Sequence, residues 1–403
     1  MSQLHYDPFS DEAMRDPHPI YRRLRKEDPV HYIERYRAWA LASFEAVWEA
    51  TRRQDEWITF AHGATPGQLL LEEPVPHTFM TMDAPAHRYW RGLVRRSYTP
   101  DSVAAEEGRL RELVRSILDP LRGRGDIDAY ADLANPVLCI NAGHNLGLPT
   151  EDALHWRALI DDMLHRESGQ VGAGSKRNQA AAAELYGYIT DHVEGLMRHP
   201  DRALRHTAAL MAGELEGQKL SSEDLTHYIY SLLVVGSETT PMTVAATLYY
   251  LHQHPEQKRA VLEDRSLIRK AFLEAARYDQ PTNMLARRAK VDFELQGRRI
   301  RKGDNLLYIY ASACRDESVF EHAEQYDLYR QPTARSLTFG TGGHMCLGMH
   351  LALLTGVIIL EELLDEVGDY DIQLDGVERA YGEHLSGFLR MPIRPGEPVA
   401  AAS

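Results

Sequence analysis

The sequence predicts a mainly α-helical fold with a minor β region, and three observations carry that prediction. Apolar residues recur at helical spacing over most of the 403-residue chain. One run, 225–254, is apolar on most faces and would span roughly 45 Å at ~1.5 Å per residue, so it is expected to cross the core as a long central helix. Period-two alternation is confined to two short regions, one near the N-terminus and one late in the chain.

Taken in order, 20–26 reads as a short amphipathic helix, and 31–33 with 39–41 as a small hairpin. Helical spacing covers 43–53, 86–98, 102–121, 129–146 and 151–166. Residues 167–176 are rich in Gly and Ser and break the pattern; 169–175 is expected to act as a mobile lid. Helix resumes over 179–198. Ser221 and Ser222, followed by Glu223 and Asp224, are a helix-start signal for the long run, and Pro255 stops it. Glu274 and Arg277 stand three residues apart on one helix face and can pair. Val291, Phe293 and Leu295 alternate, Gly297 turns the chain and 306–311 follows, which reads as a β meander. A last apolar helix is expected over 347–367. No linker, internal repeat or long low-complexity run divides the chain, so 1–403 is expected to form one domain.

With 44% hydrophobic and 26% charged residues the chain can bury a large core. A net charge of −14 argues against nucleic acid as a partner. Cys139, Cys314 and Cys346 are far apart and no CxxC occurs. That pattern fits neither a disulfide framework nor a zinc site, and it suits a reducing cytosol. Met1 to Asp7 carry no basic-then-apolar signal, and the longest apolar runs fall short of the ~20 residues a membrane helix needs. A cytoplasmic protein without a membrane partner is expected. Gly172 to Lys176 lack the order and spacing of a phosphate-binding loop.

Two segments carry chemistry. The first, Phe339-Gly340-Thr341-Gly342-Gly343-His344-Met345-Cys346-Leu347-Gly348, puts one cysteine in a glycine-rich loop directly before an apolar helix. A thiol there faces unpaired backbone N–H groups and the positive end of the helix dipole, both of which favour the thiolate. The glycines let the backbone approach something flat and large, and an anionic sulfur is a good soft ligand for iron. The second, Val235-Gly236-Ser237-Glu238-Thr239-Thr240-Pro241, lies inside the long helix. Its glycine, acid, hydroxyls and proline are poor helix-interior residues. Proline removes the bond to the carbonyl of Ser237, so a bulge or kink is expected.

The first segment resembles the haem-ligand loop of the cytochrome P-450 family, Phe-Gly-x-Gly-x-His-x-Cys-x-Gly, at every fixed position. The second resembles the family's oxygen-activation motif, small-Gly-x-acid-Thr. The resemblance runs over about 6–395. It departs from the family at Cys314, where asparagine is common, at Leu353, where arginine is common, and at Pro241 after the two threonines.

The resemblance implies a P-450 fold with the long helix over a haem b, whose iron takes Cys346 as axial thiolate. Phe339 and Gly348 would lie against the cofactor, and thiolate ligation favours O–O cleavage. Glu238 and Thr239 would deliver protons to bound dioxygen. Three groups would receive the haem propionates: His87 with Arg91 of a His-x-x-x-Arg, Arg287, and His344. Glu274 and Arg277 would lock the region below the haem loop, with Arg330 or Arg335 as a third member. Phe79, Val234, Val235, Met284, Leu285 and Phe388 would line the substrate space. The implied activity is hydroxylation of a small to medium hydrophobic substrate of terpenoid, steroid or alkyl-aromatic type. Electrons would come from an iron–sulfur ferredoxin and its flavin-dependent reductase, with Arg95 and Arg96 offering a local basic patch. A peroxide-driven oxygenase and a haem-based ligand-binding protein are the alternatives on the same fold.

Overall fold

The structure is a computed structural model that describes residues 4–331, 333 and 335–396; Met1 to Gln3, read above for a targeting signal, lie outside the described residues. In chain order the principal helices are α1 (Ala86–Arg95), α2 (Asn135–Leu146), α3 (Ala153–Leu164), α4 (Lys176–Arg198), α5 (Ser222–Gln253), α6 (Ile268–Tyr278) and α7 (Met349–Val367). Helix α5 is the long apolar run. Ser221 caps it by accepting the Asp224 N–H, while the Asp224 carboxylate reaches back to the Ser221 N–H, so two of the unpaired donors at its start are satisfied.

Helix α5 belongs to two separate cores. Its first part, Leu225 to Leu233, packs with α2, α3 and α4. Its last part, Met242 to Leu251, packs with α6 and α7. Between them lies the polar segment, where Val235 is 52% exposed although it sits in mid-helix. Ser237, Glu238 and Thr240 of that segment are buried, and Thr239, Thr240 and Thr243 line the site described below.

Pro241 does not end the helix, which runs from Ser222 to Gln253 with the proline inside it. Hydroxyls along this stretch bond back to their own helix. Ser237 donates to the Leu233 carbonyl at 2.7 Å, Thr243 to Thr239 at 3.0 Å and Thr247 to Thr243 at 2.7 Å. Polar residues are thereby satisfied inside an apolar helix without breaking it.

The β region is one five-stranded sheet and several small pairings. Strands β1 (Val30–Ile33), β2 (Ala38–Leu41), β3 (Ile58–Thr59), β4 (Leu285–Ala289) and β5 (Asn305–Tyr308) lie in the order β1-β2-β5-β4-β3. The hairpin β1–β2 forms as expected, with Val30 opposite Leu41. Strand β5 is parallel to β2 and antiparallel to β4, where Leu306 faces Arg287. Phe293–Leu295 pairs with Arg298–Ile300 across Gln296 (φ 47°) and Gly297 (φ 73°). Two successive left-handed residues are what a two-residue hairpin turn needs to match strand twist.

Some elements differ from expectation. The stretch 102–121 is not one helix. Thr99 caps a separate short helix, Pro100–Ala104, with Pro100 at its first position, and Glu107–Leu118 follows. Strand β5 ends at Tyr308 and a helical turn, Tyr310–Ala313, replaces the rest of 306–311. Among the described residues no helix is long and apolar enough to cross a membrane.

The Glu274–Arg277 pair organises the segment leading to the Cys346 loop. Both are buried, and Arg277 donates to the Glu274 carboxylate at 2.7 and 2.8 Å. Its remaining N–H groups reach the carbonyls of Cys314 (2.8 Å), Ala323 (3.0 Å) and Gln325 (3.1 Å). Glu274 also accepts from Asp327 N–H and from Arg330 Nε, each at 3.0 Å. The third member is therefore Arg330. Arg335 instead pairs with Glu45 at the surface, at 2.7 Å. Removing one partner of a buried pair strands the other charge, so Arg277→Ala should cost about 3–5 kcal/mol in urea unfolding. Arg335→Ala should cost less than about 1 kcal/mol, and equal losses would refute this assignment of roles.

Candidate active site

The glycine-rich loop turns tightly just before α7. Gly340 (φ 69°) and Gly342 (φ 73°) occupy the left-handed region that disfavours side chains. Cys346 N–H donates to the Phe339 carbonyl at 2.8 Å, and Met345 N–H to Gly342 at 3.3 Å. The Cys346 side chain is open to a cavity yet ringed by protein. That burial pushes its thiol above the usual value, while the Gly348 N–H and the Arg91 charge pull it down. The thiolate expected from the helix terminus is thus only partly favoured by the protein itself, because desolvation opposes it.

One cavity joins this loop to the middle of α5. Thr239, Thr240 and Thr243 line it from one side, and Phe339, Gly340, His344 and Cys346 from another. The sequence separates these walls by about a hundred residues, and the fold brings them together.

The expected anion-binding residues form a continuous stack beside the loop. The Arg287 guanidinium lies over the Phe60 ring at 4.5 Å. Phe60 stacks on His344 at 3.5 Å, and His344 stacks on His87 at 3.8 Å. Arg91 donates to the Met345 carbonyl, tying α1 to the cysteine loop. Burial, reinforced by neighbouring positive charge, lowers His87 to about 4 and His344 to about 2, so both imidazoles are neutral in this state. His87 Nε2 is buried without a hydrogen-bond partner.

Arg287 is the sharpest signal. It is 5% exposed and has no carboxylate partner among the described residues. Its side chain donates only to the carbonyls of Ala286 (2.6 Å) and Ala64 (3.3 Å). Desolvation lowers its pKa, which is the mark of a buried cation short of an anion. A flat ligand with a metal at its centre and carboxylates at its edge fits these features: a lone cysteine facing the cavity, glycines beneath it, and a stack with an uncompensated cation at one end and an orphaned imidazole nitrogen at the other.

Glu238 does not stand free. It is buried and accepts from Arg157 Nη1 at 2.8 Å. Arg157, on α3, also bonds Asp161 and reaches the Tyr130 hydroxyl at 3.3 Å. Burial pushes the Glu238 carboxyl up and Arg157 opposes it. Arg157 was not singled out from sequence. Its pairing with Asp161 four residues on is legible there, but its contact with Glu238, 81 residues away, is not.

The expected substrate residues separate into two groups. Leu285 lines the cavity, whereas Val235 is exposed in the middle of α5 and Val234 is half-buried beside it. Phe79, Met284 and Phe388 are buried in cores instead. Phe79 packs on Tyr228 at 5.5 Å, Met284 sits under Tyr6, and Phe388 packs on Tyr249 at 4.7 Å. Their apolar character reflects packing rather than a cavity wall.

The expected lid is the non-helical connection between α3 and α4. Ser168 donates to Asp11 at 2.7 Å, Ala173 N–H to Glu73 at 2.6 Å and Gly169 N–H to the Tyr381 hydroxyl at 3.4 Å. Three remote segments fasten it in this conformation.

A family model for cytochrome P450 matches residues 174–368. Over 393 residues the chain is 32% identical to a putative cytochrome P450 123 from Mycobacterium tuberculosis, covering 97% of each. It is 29% identical to the cytochrome P450 monooxygenase PikC from Streptomyces venezuelae, over 94% of this chain and 91% of that one. Among solved structures, cytochrome P450 CYP109Q5 from Chondromyces apiculatus superposes with a TM-score of 0.82 at 26% identity, covering 96% of this chain and 97% of that one.

If Arg287 is reserved for an anionic ligand, replacing it separates two properties. Arg287→Leu should leave the haem-free protein as stable or more stable by about 1–3 kcal/mol, because an uncompensated buried charge is removed. The same variant should hold haem at least about tenfold less tightly in transfer to an excess of apomyoglobin. Loss of haem-free stability with unchanged haem retention would refute the assignment.

Proposed function

Because the chain belongs to the cytochrome P450 family, whose members are haem-b monooxygenases with a cysteine-thiolate iron ligand, we propose that it hydroxylates a small to medium hydrophobic molecule of terpenoid, steroid or alkyl-aromatic type. The observation that carries this reading is one cavity with Cys346 on one wall and Thr239 on another. Haem b held through Cys346 would supply dioxygen activation, with thiolate ligation favouring O–O cleavage.

The chain's own residues have distinct tasks in this reading. His87, Arg91, Arg287 and His344 hold and orient the propionates, and Arg287 gains the anion it lacks. Phe339 and Gly348 leave room for a flat ligand against the cysteine loop. The Thr239 hydroxyl, at the cavity wall, holds a proton where dioxygen chemistry needs one. Glu238 restores that proton from the protein interior. Its carboxylate is bonded to Arg157, so relay requires that bond to loosen in favour of Asp161, which Arg157 already touches. Val234, Val235 and Leu285 exclude water and present an apolar surface to the substrate.

Residues 1–403 act as one cytoplasmic domain that receives electrons from outside. The proposed donor is an iron–sulfur ferredoxin, itself reduced by a flavoprotein. Arg95 and Arg96 support a docking face for an acidic partner: both are exposed at the end of α1 and neither has a carboxylate partner among the described residues.

Two variants test the site. Cys346→Ser should abolish the thiolate–CO absorption of the reduced protein; survival of that spectrum removes Cys346 as the ligand. Thr239→Ala should keep haem and the CO spectrum but divert reducing equivalents to peroxide, so that product formed per electron falls several-fold. Unchanged coupling in Thr239→Ala would sink the proton-holding role.

A further inference from the structure

A second cleft opens at the C-terminal end of α5. It encloses about 560 Å³ and shares no lining residue with the Cys346 cavity. Tyr249 and Tyr250 near the end of α5, Tyr278 at the end of α6, and Tyr326 supply aromatic walls. The rings pack on one another. Tyr250 stacks with Tyr326 at 5.5 Å, and Tyr249 and Tyr278 stand edge-on to Tyr250 at 5.3 and 4.9 Å. Gln253 and Gln325, both exposed, also line the cleft and leave it open to solvent.

The walls are held in advance. Arg277 bonds the Gln325 carbonyl and Glu274 accepts the Asp327 N–H. The Tyr278 hydroxyl donates to the Glu324 carbonyl and the Tyr326 hydroxyl to that of Ala271, each at 3.2 Å. Two carboxylates line the cleft, and no lysine or arginine does. The histidine of the lining, His254, has Nδ1 against the Tyr250 carbonyl at 2.7 Å. Glu324 is already paired, with Arg25 at 2.6 Å, Arg22 at 3.2 Å and Arg315 at 3.5 Å. Asp327 is not. Its Oδ1 accepts the Tyr329 N–H at 2.9 Å, and no cationic side chain pairs with it among the described residues. Arg330, the nearest arginine in the chain, gives its donors to Glu274 and to the carbonyls of Glu321, His322 and Gln325.

We propose that this cleft binds an arylalkyl ammonium ion, with its charge on the Asp327 carboxylate and its ring along the tyrosines. The site goes beyond the monooxygenase reading and does not depend on it. The chemistry of the lining selects the ligand. An ammonium N–H donates to a carboxylate in a charge-assisted bond, about twice as strong as a neutral one. Tyrosine rings attract cations, and Tyr278 already takes the Arg315 guanidinium over its ring at 3.8 Å. A neutral alcohol of the same shape keeps the ring contact but loses the charge, and a carboxylate meets Asp327 as a like charge. The volume lies within the roughly 300–1,000 Å³ of small-molecule sites. Walls fixed before binding spare the ligand the cost of ordering them.

The test uses tryptamine, tryptophol and indole-3-propionate, which share one ring system and carry an ammonium, a hydroxyl and a carboxylate. Binding to the full-length holoprotein is measured by equilibrium dialysis with the iron saturated by 4-phenylimidazole, so that the Cys346 cavity is already filled. Tryptamine should bind about tenfold or more tightly than tryptophol, and indole-3-propionate should bind most weakly. Asp327→Asn keeps an oxygen for the Tyr329 N–H. It should reduce the preference for tryptamine over tryptophol to less than about threefold while leaving tryptophol affinity unchanged. Tyr249→Leu should weaken tryptamine several-fold; should that variant fail to fold, the Asp327→Asn comparison decides alone. Absence of tryptamine binding, equal binding of tryptamine and tryptophol, or a preference that survives Asp327→Asn overturns the site. The carbon monoxide spectrum of the same preparations, taken without 4-phenylimidazole, reads the haem-thiolate assignment separately: an intact thiolate spectrum without tryptamine preference sinks the cation site alone.

Discussion

The structure depends on one buried ion cluster. Arg277 spends every N–H on a partner, and those partners come from Glu274 and from three carbonyls spread over 314–325. Glu274 in turn collects the Asp327 N–H and Arg330. Gln280, next along the chain, donates to the Thr338 carbonyl at 2.9 Å and so extends the same framework to the edge of the cysteine loop. That loop has few bonds of its own. Its position against α5 follows from irregular chain that Arg277 and Arg330 hold still. A buried ion pair is a poor source of stability by itself, since desolvation offsets attraction. Here its effect is geometric: complete satisfaction of both charges permits only one arrangement of the chain around them.

Set against that cluster, Arg287 has a different meaning. Four arginines are buried among the described residues: Arg157, Arg277, Arg287 and Arg315. Three of them have a carboxylate within ion-pair distance: Glu238 for Arg157, Glu274 for Arg277 and Glu324 for Arg315. Arg287 has only carbonyls and aromatic faces. A fold that gives the other three a carboxylate and leaves Arg287 with none has a place for a ligand's negative charge. The neutral, stacked His344 and His87 point the same way, since they supply donors without adding further uncompensated charge.

What was legible in the sequence was what is local. The cysteine loop, the Glu274–Arg277 spacing, the cap at Ser221 and the length of α5 all depend on residues close in the chain, and all appear as expected. What was not legible depends on tertiary choice. Arg330 and Arg335 are equally plausible partners for Glu274 in sequence, and only the fold turns Arg330 inward. Phe79, Met284 and Phe388 are apolar at apolar positions, but periodicity gives a buried face without saying whether that face meets a core or a cavity. Arg157 reads as one half of an ordinary helix pair with Asp161, whereas the fold makes it the partner of the acid at the site. Proline in α5 illustrates the converse. Its local penalty is real, yet burial on both sides and back-bonded hydroxyls keep the helix continuous.

The cavity itself has a simple origin. Helix α5 is longer than either core it joins, and its polar middle cannot be buried in apolar surroundings without partners. Ser237 and Glu238 are buried with partners, while Thr239, Thr240 and Thr243 face the cavity opposite the cysteine loop. The connection between α3 and α4 has no helix and belongs to neither core. That connection is held by hydrogen bonds from Ser168, Gly169 and Ala173 to Asp11, Tyr381 and Glu73, with Tyr381 also donating to Asp11 at 2.9 Å. The Asp11 carboxyl is exposed to solvent and drawn down to about 2 by Ser168, Arg15 and Tyr381. Fasteners of this kind exchange readily with water, unlike the satisfied charges around Arg277. The same chain thus combines a cysteine loop set by fully satisfied buried charges with a connection held by a few hydrogen bonds outside both cores, so that the connection can open without disturbing either core.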